Sequence, residues 1–145
     1  MIANFGREIN MFIRECMTKN PVTVEPGDTL VRAEAKMAEG GFRRLPVVVE
    51  GKLIGIISEY DLRRFGHSID STLVEAVMTP NPVTISPSAT LEHAVALLKA
   101  KAIGALPVVE HGRLIGIITA SNLWVPEPRP LPEWERRASL VSCHK

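Results

Sequence analysis

The chain has 145 residues, of which 46% are hydrophobic, 23% charged and 5% aromatic. That profile excludes wholesale disorder and points to an aliphatic core in one domain or two very small ones. A formal net charge of +1 excludes the global charge excess of a nucleic-acid or acidic-membrane binder, and no apolar run reaches the roughly 18 residues of a membrane span.

At the N-terminus, Ile9, Phe12, Ile13 and Cys16 fall on one helical face, so a helix is expected over 1–15 with Cys16 as a small core residue. Met1 to Arg14 mixes apolar and charged residues, so this stretch is not expected to be a secretory h-region. Cys16 and Cys143 lie far apart, so no disulfide framework is expected and a reducing cytoplasm is the implied setting.

From Met17 the chain repeats. Shifted by 61 residues without a gap, 17–62 and 78–123 are identical at 22 of 46 positions, which marks a duplication. Met17-Thr18 returns as Met78-Thr79, Pro21-Val22-Thr23 as Pro82-Val83-Thr84, and Leu45-Pro46-Val47-Val48 as Leu106-Pro107-Val108-Val109. Each copy reads as β-α-β-β-α. Val22 to Val24 is a short strand ended by Glu25-Pro26-Gly27. A helix starts near Asp28 or Thr29, with Leu30, Ala33 and Met37 as its apolar stripe, and stops at Gly40-Gly41. Its second copy carries Leu91, Ala94, Val95 and Leu98. Leu45–Val49 and Leu53–Ile57 flank Glu50-Gly51 as a hairpin, repeated around His111-Gly112. Both faces of these strands are apolar, and a half-repeat of this size cannot bury a sufficient core alone. The expected fold is therefore α/β (α+β): two pseudo-twofold-related repeats packed sheet to sheet. The divisions are an N-terminal helix over 1–15, repeat 1 over 16–66, a polar connector over 67–76, repeat 2 over 77–125, and a tail over 126–145. Pro126, Pro128, Pro130 and Pro132 imply an extended strap for that tail, beyond which the spacing of Leu131, Trp134, Ala138 and Val141 fits a short helical stripe or a frayed tail.

The inventory for catalysis is thin. Neither a Walker loop nor a Gly-x-Gly-x-x-Gly fingerprint is present. His67, His93, His111 and His144 form no metal-ligand spacing with either cysteine, so no catalytic or metal site is expected. One pattern occurs twice at the same place: Gly55-Ile56-Ile57-Ser58-Glu59-Tyr60-Asp61 and Gly116-Ile117-Ile118-Thr119-Ala120-Ser121-Asn122. A strand runs into a helix with a hydroxyl at the junction and Asp or Asn three residues on. A capping box accounts for this spacing. So does a phosphate site, in which the hydroxyl donates to phosphate and the carboxylate accepts both hydroxyls of a ribose. Spacing alone leaves both readings open.

The 61-residue repeat, the Met-Thr-x-x-Pro-Val-Thr starts, the Leu-Pro-Val-Val strands and the Gly-Ile-Ile-Ser-x-x-Asp end resemble a tandem cystathionine-β-synthase (CBS) domain pair, or Bateman module, over about 10–125. The resemblance implies a stand-alone regulatory sensor without catalysis. Its ligand would be an adenine nucleotide, AMP foremost, with ADP, ATP or S-adenosylmethionine as alternatives, and no cofactor would be required. Ser58 and Thr119 would contact phosphate or ribose, Asp61 and Asn122 the ribose diol, and groups around Val22, Val83, Leu45 and Leu106 the adenine. Arg43 and Arg44 would bind phosphate in the Asn122 cleft, leaving the Asp61 cleft without them, because Gly104 and Ala105 replace them in repeat 2. Arg63 and Arg64 are further phosphate candidates. The resemblance also implies a homodimer, with Leu62 to Phe65 at its surface, that signals to a client protein through repeat or dimer packing. A ligand-free assembly platform is the alternative; nucleic acid and membrane are not expected partners.

Overall fold

A computed structural model of the chain describes residues 11–65 and 69–123. Ile9, His67, Cys143 and His144, with the proline-rich tail over 126–145 and its Trp134, lie outside the described residues. The chain runs through α1 (Ile13–Cys16), β1 (Thr18–Lys19), α2 (Leu30–Gly40), β2 (Arg44–Val49), β3 (Lys52–Ser58) and α3 (Glu59–Arg64). After a 3-10 turn at Val74–Ala76 follow β4 (Thr79–Pro80), α4 (Leu91–Lys101), β5 (Ala105–Glu110), β6 (Arg113–Thr119) and a 3-10 turn at Ser121–Leu123. This is the mixed α+β fold of two related repeats that the duplication implies.

Local chemistry sets the elements. Thr29 Oγ1 accepts from the Arg32 N–H at 3.3 Å and Thr90 Oγ1 from the His93 N–H at 3.2 Å, so each long helix begins on a threonine cap. Leu30, Ala33 and Met37 of α2, and Leu91, Ala94 and Leu98 of α4, form the buried faces. The first helix ends at Gly41 with φ 71°, the second at Ala102 with φ 52°. Both hairpins turn on two residues of positive φ, Glu50-Gly51 and His111-Gly112, the pattern of a type I′ turn whose twist suits antiparallel strands. The strand expected at Val22–Val24 reduces to one parallel bridge, Val24 to Val47, and its second copy to Ile85 with Val108. Pro21 and Pro26 lack the N–H groups needed to extend the first of these.

The sheet is antiparallel and branched. β2 pairs with β3 and β5 with β6, while β3 meets β6 only at Lys52 and Arg113. The short lead strands cross over: β1 pairs with β6 of the second repeat, and β4 with β3 of the first. Gly116 and Gly55 permit this approach. A Cβ on Gly116 would collide with the Met17 thioether and lie 3.0 Å from the Thr18 carbonyl; on Gly55 it would meet Met78 and, at 3.0 Å, the Thr79 carbonyl.

Two cores result. Val24, Leu30, Ala33, Met37, Leu45, Val47, Ile57 and Leu62 build the first, and Ile85, Leu91, Ala94, Leu98, Leu106, Val108, Ile118 and Leu123 the second. The crossing completes each of them. Ile13, fully buried, belongs to the second core, and Val74, also fully buried, to the first. Backbone bonds fasten both segments at equivalent points. Ile13 N–H donates to Ala89 O at 2.8 Å and Leu91 N–H to Met11 O at 2.9 Å; Val74 N–H donates to Asp28 O at 2.8 Å and Leu30 N–H to Thr72 O at 2.9 Å. The stretch read as a polar connector thus supplies a core residue. Leu62 is buried and Phe65 packs against the same core, while Arg63 and Arg64 between them are exposed.

Candidate functional site: two clefts at the strand ends

Ser58 ends β3 and caps α3. Its Oγ accepts from the Asp61 N–H at 3.2 Å, and Asp61 Oδ2 accepts from the Ser58 N–H at 2.9 Å. The capping box is therefore fully formed, and it fixes the carboxylate beside the hydroxyl. The second copy differs. Thr119 Oγ1 donates to Asn122 Oδ1 at 2.6 Å and accepts from the Asn122 N–H at 3.4 Å, and only a 3-10 turn follows.

Each constellation lies in a cleft between the repeats. The larger has a volume of about 630 Å³ and is lined by Ile56, Ser58, Tyr60, Asp61 and the segments around Val83 and Gly104. The smaller, about 350 Å³, is lined by Ile117, Thr119, Ser121, Asn122 and the equivalent segments around Val22 and Phe42. Each cleft thus takes its hydroxyl and its Asp or Asn from one repeat, and its lead segment and post-helix segment from the other.

Ser58, Asp61 and Val83 come together in the larger cleft, and Thr119, Asn122 and Val22 in the smaller. Two expectations are corrected. Leu45 and Leu106 line neither cleft: they are 1% and 0% exposed and sit in the two cores. Side chains alternate along a strand, so Arg44 and Pro46, which do line the smaller cleft, put Leu45 on the opposite face. The second correction concerns Arg43 and Arg44. They border the Asn122 cleft as expected, but they border the Asp61 cleft as well. Gly104 and Ala105, their counterparts in repeat 2, leave the room, and a Cβ on Gly104 would collide with the Arg44 guanidinium. Arg63 also lines the larger cleft, with Nη1 3.5 Å from Glu59 Oε2. Arg64 lies over the Tyr60 and Phe65 rings, 6.0 and 5.5 Å from their centroids, and lines neither cleft.

The charged linings differ. Among the described residues, three arginines face two carboxylates, Glu59 and Asp61, in the larger cleft, and in the smaller Arg43 and Arg44 face none. Among the described residues no cluster of His, Cys, Asp and Glu has a metal-binding arrangement, and no helix is long and apolar enough to cross a membrane. Sequence reasoning missed three residues that line the clefts, Asn20, Asn81 and Phe42. The asparagines, at φ 49° and 48°, turn the lead strands into the clefts. Their signal was present: asparagine precedes Pro-Val-Thr in both copies, and asparagine is enriched at positive φ.

The family profile of the CBS domain matches residues 13–68 and 74–123. Inosine-5′-monophosphate dehydrogenase of Korarchaeum cryptofilum is 36% identical over 123 residues, covering 84% of this chain and 25% of that protein. The CBS domain-containing protein YhcV of Bacillus subtilis is 32% identical over 116 residues, covering 78% of this chain and 83% of YhcV. CBSX2, solved from Arabidopsis thaliana, has a structure in complex with AMP that superposes with a TM-score of 0.69 at 30% identity, over 90% of this chain and 96% of that one. The chain spans 24% to 46% of the length of the first curated relatives it matches. Two profile matches, one on each copy of the duplication, together with the shared fold, place the chain in the CBS domain family.

Proposed function

We propose that the chain is a regulatory module that binds an adenine nucleotide, AMP foremost, and carries no catalysis of its own. The observation that supports this best is the larger cleft, where the Ser58 hydroxyl and the Asp61 carboxylate share one cavity with Arg43 and Arg44. In this reading Asp61 accepts the ribose hydroxyls, the arginines take the phosphate, and Val83 and Ile56 offer apolar surface to the base. A volume of about 630 Å³ lies within the range of about 300–1,000 Å³ usual for small-molecule sites. Thr119 and Asn122 play the parallel roles in the smaller cleft, with Val22, 41% exposed, beside the base. The known AMP complex of CBSX2 supports the choice of ligand.

The nucleotide state then reaches a client protein through the packing of the repeats or of a homodimer. Light scattering at concentrations well above micromolar should give twice the chain mass; a stable monomer of about 16 kDa would remove the dimer from this reading. The ligand test is calorimetric titration of the full chain with AMP, ADP, ATP and S-adenosylmethionine. Saturable binding of AMP is expected. No heat with any of the four would leave a ligand-free assembly platform as the better description.

A further inference from the structure

The two clefts are not separate sites. Arg43 and Arg44 line both, and among the described residues no other charged side chain does so. The duplication would have provided a second pair of arginines, but Gly104 and Ala105 stand in their places. Arg44 uses the vacated space: its guanidinium lies where a Cβ of Gly104 would be, and Gly104 belongs to the wall of the larger cleft alone. The stem of Arg44 meanwhile rises from the first residue of β2, at the border of the smaller cleft.

We propose that Arg44 is a phosphate-binding side chain for which the two clefts compete, so that a phosphate-bearing nucleoside in the larger cleft weakens binding of a second one in the smaller. This rests on the nucleotide reading above and adds a regulation to it. A guanidinium directs its donors in one plane, and committing it to a phosphate in one cleft withdraws it from the other. Among the described residues, Arg43 is the one other cation in the lining of the smaller cleft, so its phosphate site would lose half of the positive charge they supply. Coupling of this kind is reciprocal and should vanish for a nucleoside without phosphate.

The test is calorimetric titration of the full chain with AMP and, separately, with adenosine. The wild type is expected to bind a second AMP at least tenfold more weakly than the first. In Pro82→Trp an indole fills the larger cleft, whose lining includes Pro82. AMP should then bind the smaller cleft at least fivefold tighter than the second AMP binds the wild type, while adenosine binds that cleft equally in both proteins. The same smaller-cleft affinity for AMP in both proteins would overturn the competition and leave the nucleotide reading intact. No AMP binding to either protein would overturn both.

Gly104→Ala gives a second route should Pro82→Trp not fold. Its φ lies outside the left-handed region, so alanine fits the backbone, and its Cβ displaces the Arg44 guanidinium. AMP binding at the site sensitive to Asp61→Ala should weaken severalfold, and at the site sensitive to Asn122→Ala it should tighten severalfold. A loss at the first site with no gain at the second would mean simple narrowing of the larger cleft and would sink the proposal.

Discussion

Asp61 carries two roles with one carboxylate, and they leave different traces. Its Oδ2 accepts the Ser58 N–H at 2.9 Å, which stabilises the start of α3; in the proposed complex it also accepts the ribose diol. Asp61→Ala should therefore weaken AMP binding in the larger cleft by about 30- to 1000-fold, the value of two hydrogen bonds to a charged acceptor at about 2–4 kcal/mol. The lost cap should cost about 1 kcal/mol of stability. Titration measures the first and the melt of the ligand-free protein the second. A lower melt with unchanged affinity for every nucleotide would reduce Asp61 to a cap. Cys16 gives a prediction in pH. Burial, and then the charge of Glu15, raise its thiol pKa, and its Sγ lies 3.7 Å from the Phe12 and Ile13 carbonyls. The native thiolate fraction at a given alkaline pH is then smaller than in the unfolded chain. This group's contribution to stability is full below the unfolded thiol pKa and is lost as pH rises through the folded one. Iodoacetamide should alkylate Cys16 in a Cys143→Ser protein more slowly at pH 8 than in the same protein in urea, and equal rates would contradict the burial.

The helix ends show what a local code delivers and where it yields. Gly41 and Ala102 occupy equivalent left-handed positions after α2 and α4, but only glycine holds that conformation without a Cβ clash, which costs an L-residue about 1–2 kcal/mol. Ala102→Gly should stabilise the protein by a few tenths to about 1 kcal/mol, after about 0.4–1 kcal/mol is offset by greater freedom of the unfolded chain. Thermal melts of this variant and of Gly41→Ala, expected to move the other way, check it. Caps, helix stripes and hairpin turns were legible in the sequence because each is decided within a few residues. The family resemblance implies an adenine role for Leu45 and Leu106, although the period of two along β2 places Leu45 opposite Arg44 and Pro46, and Leu106 of β5 is buried in the second core. The double service of Arg43 and Arg44 was not legible, since it depends on the space that Gly104 leaves one repeat away.

At the scale of the whole molecule, the repeats exchange the segments that precede them. The identity between copies begins at Met17 and Met78, which is why the duplication alone placed the boundary there and left Ile13 and Val74 outside it. These two residues lie 61 positions apart as well, and each closes the core of the other repeat. Exchange makes the two cores interdependent: neither half has a complete hydrophobic interior from its own strands and long helix. Ile13→Ala should destabilise the chain by about 2–5 kcal/mol, the range for truncating a buried isoleucine, although Ile13 stands 93 and 105 residues away in sequence from Leu106 and Ile118, which share its core. Val74→Ala removes less volume from the first core and should cost somewhat less. Both variants should melt in one transition, because loss of either core also frees a strand, β1 or β4, from the other repeat's sheet. Circular dichroism and calorimetry test this together. A biphasic melt of Ile13→Ala, with repeat 1 surviving at the wild-type temperature, would show that the repeats fold independently and that the exchanged segments only decorate them.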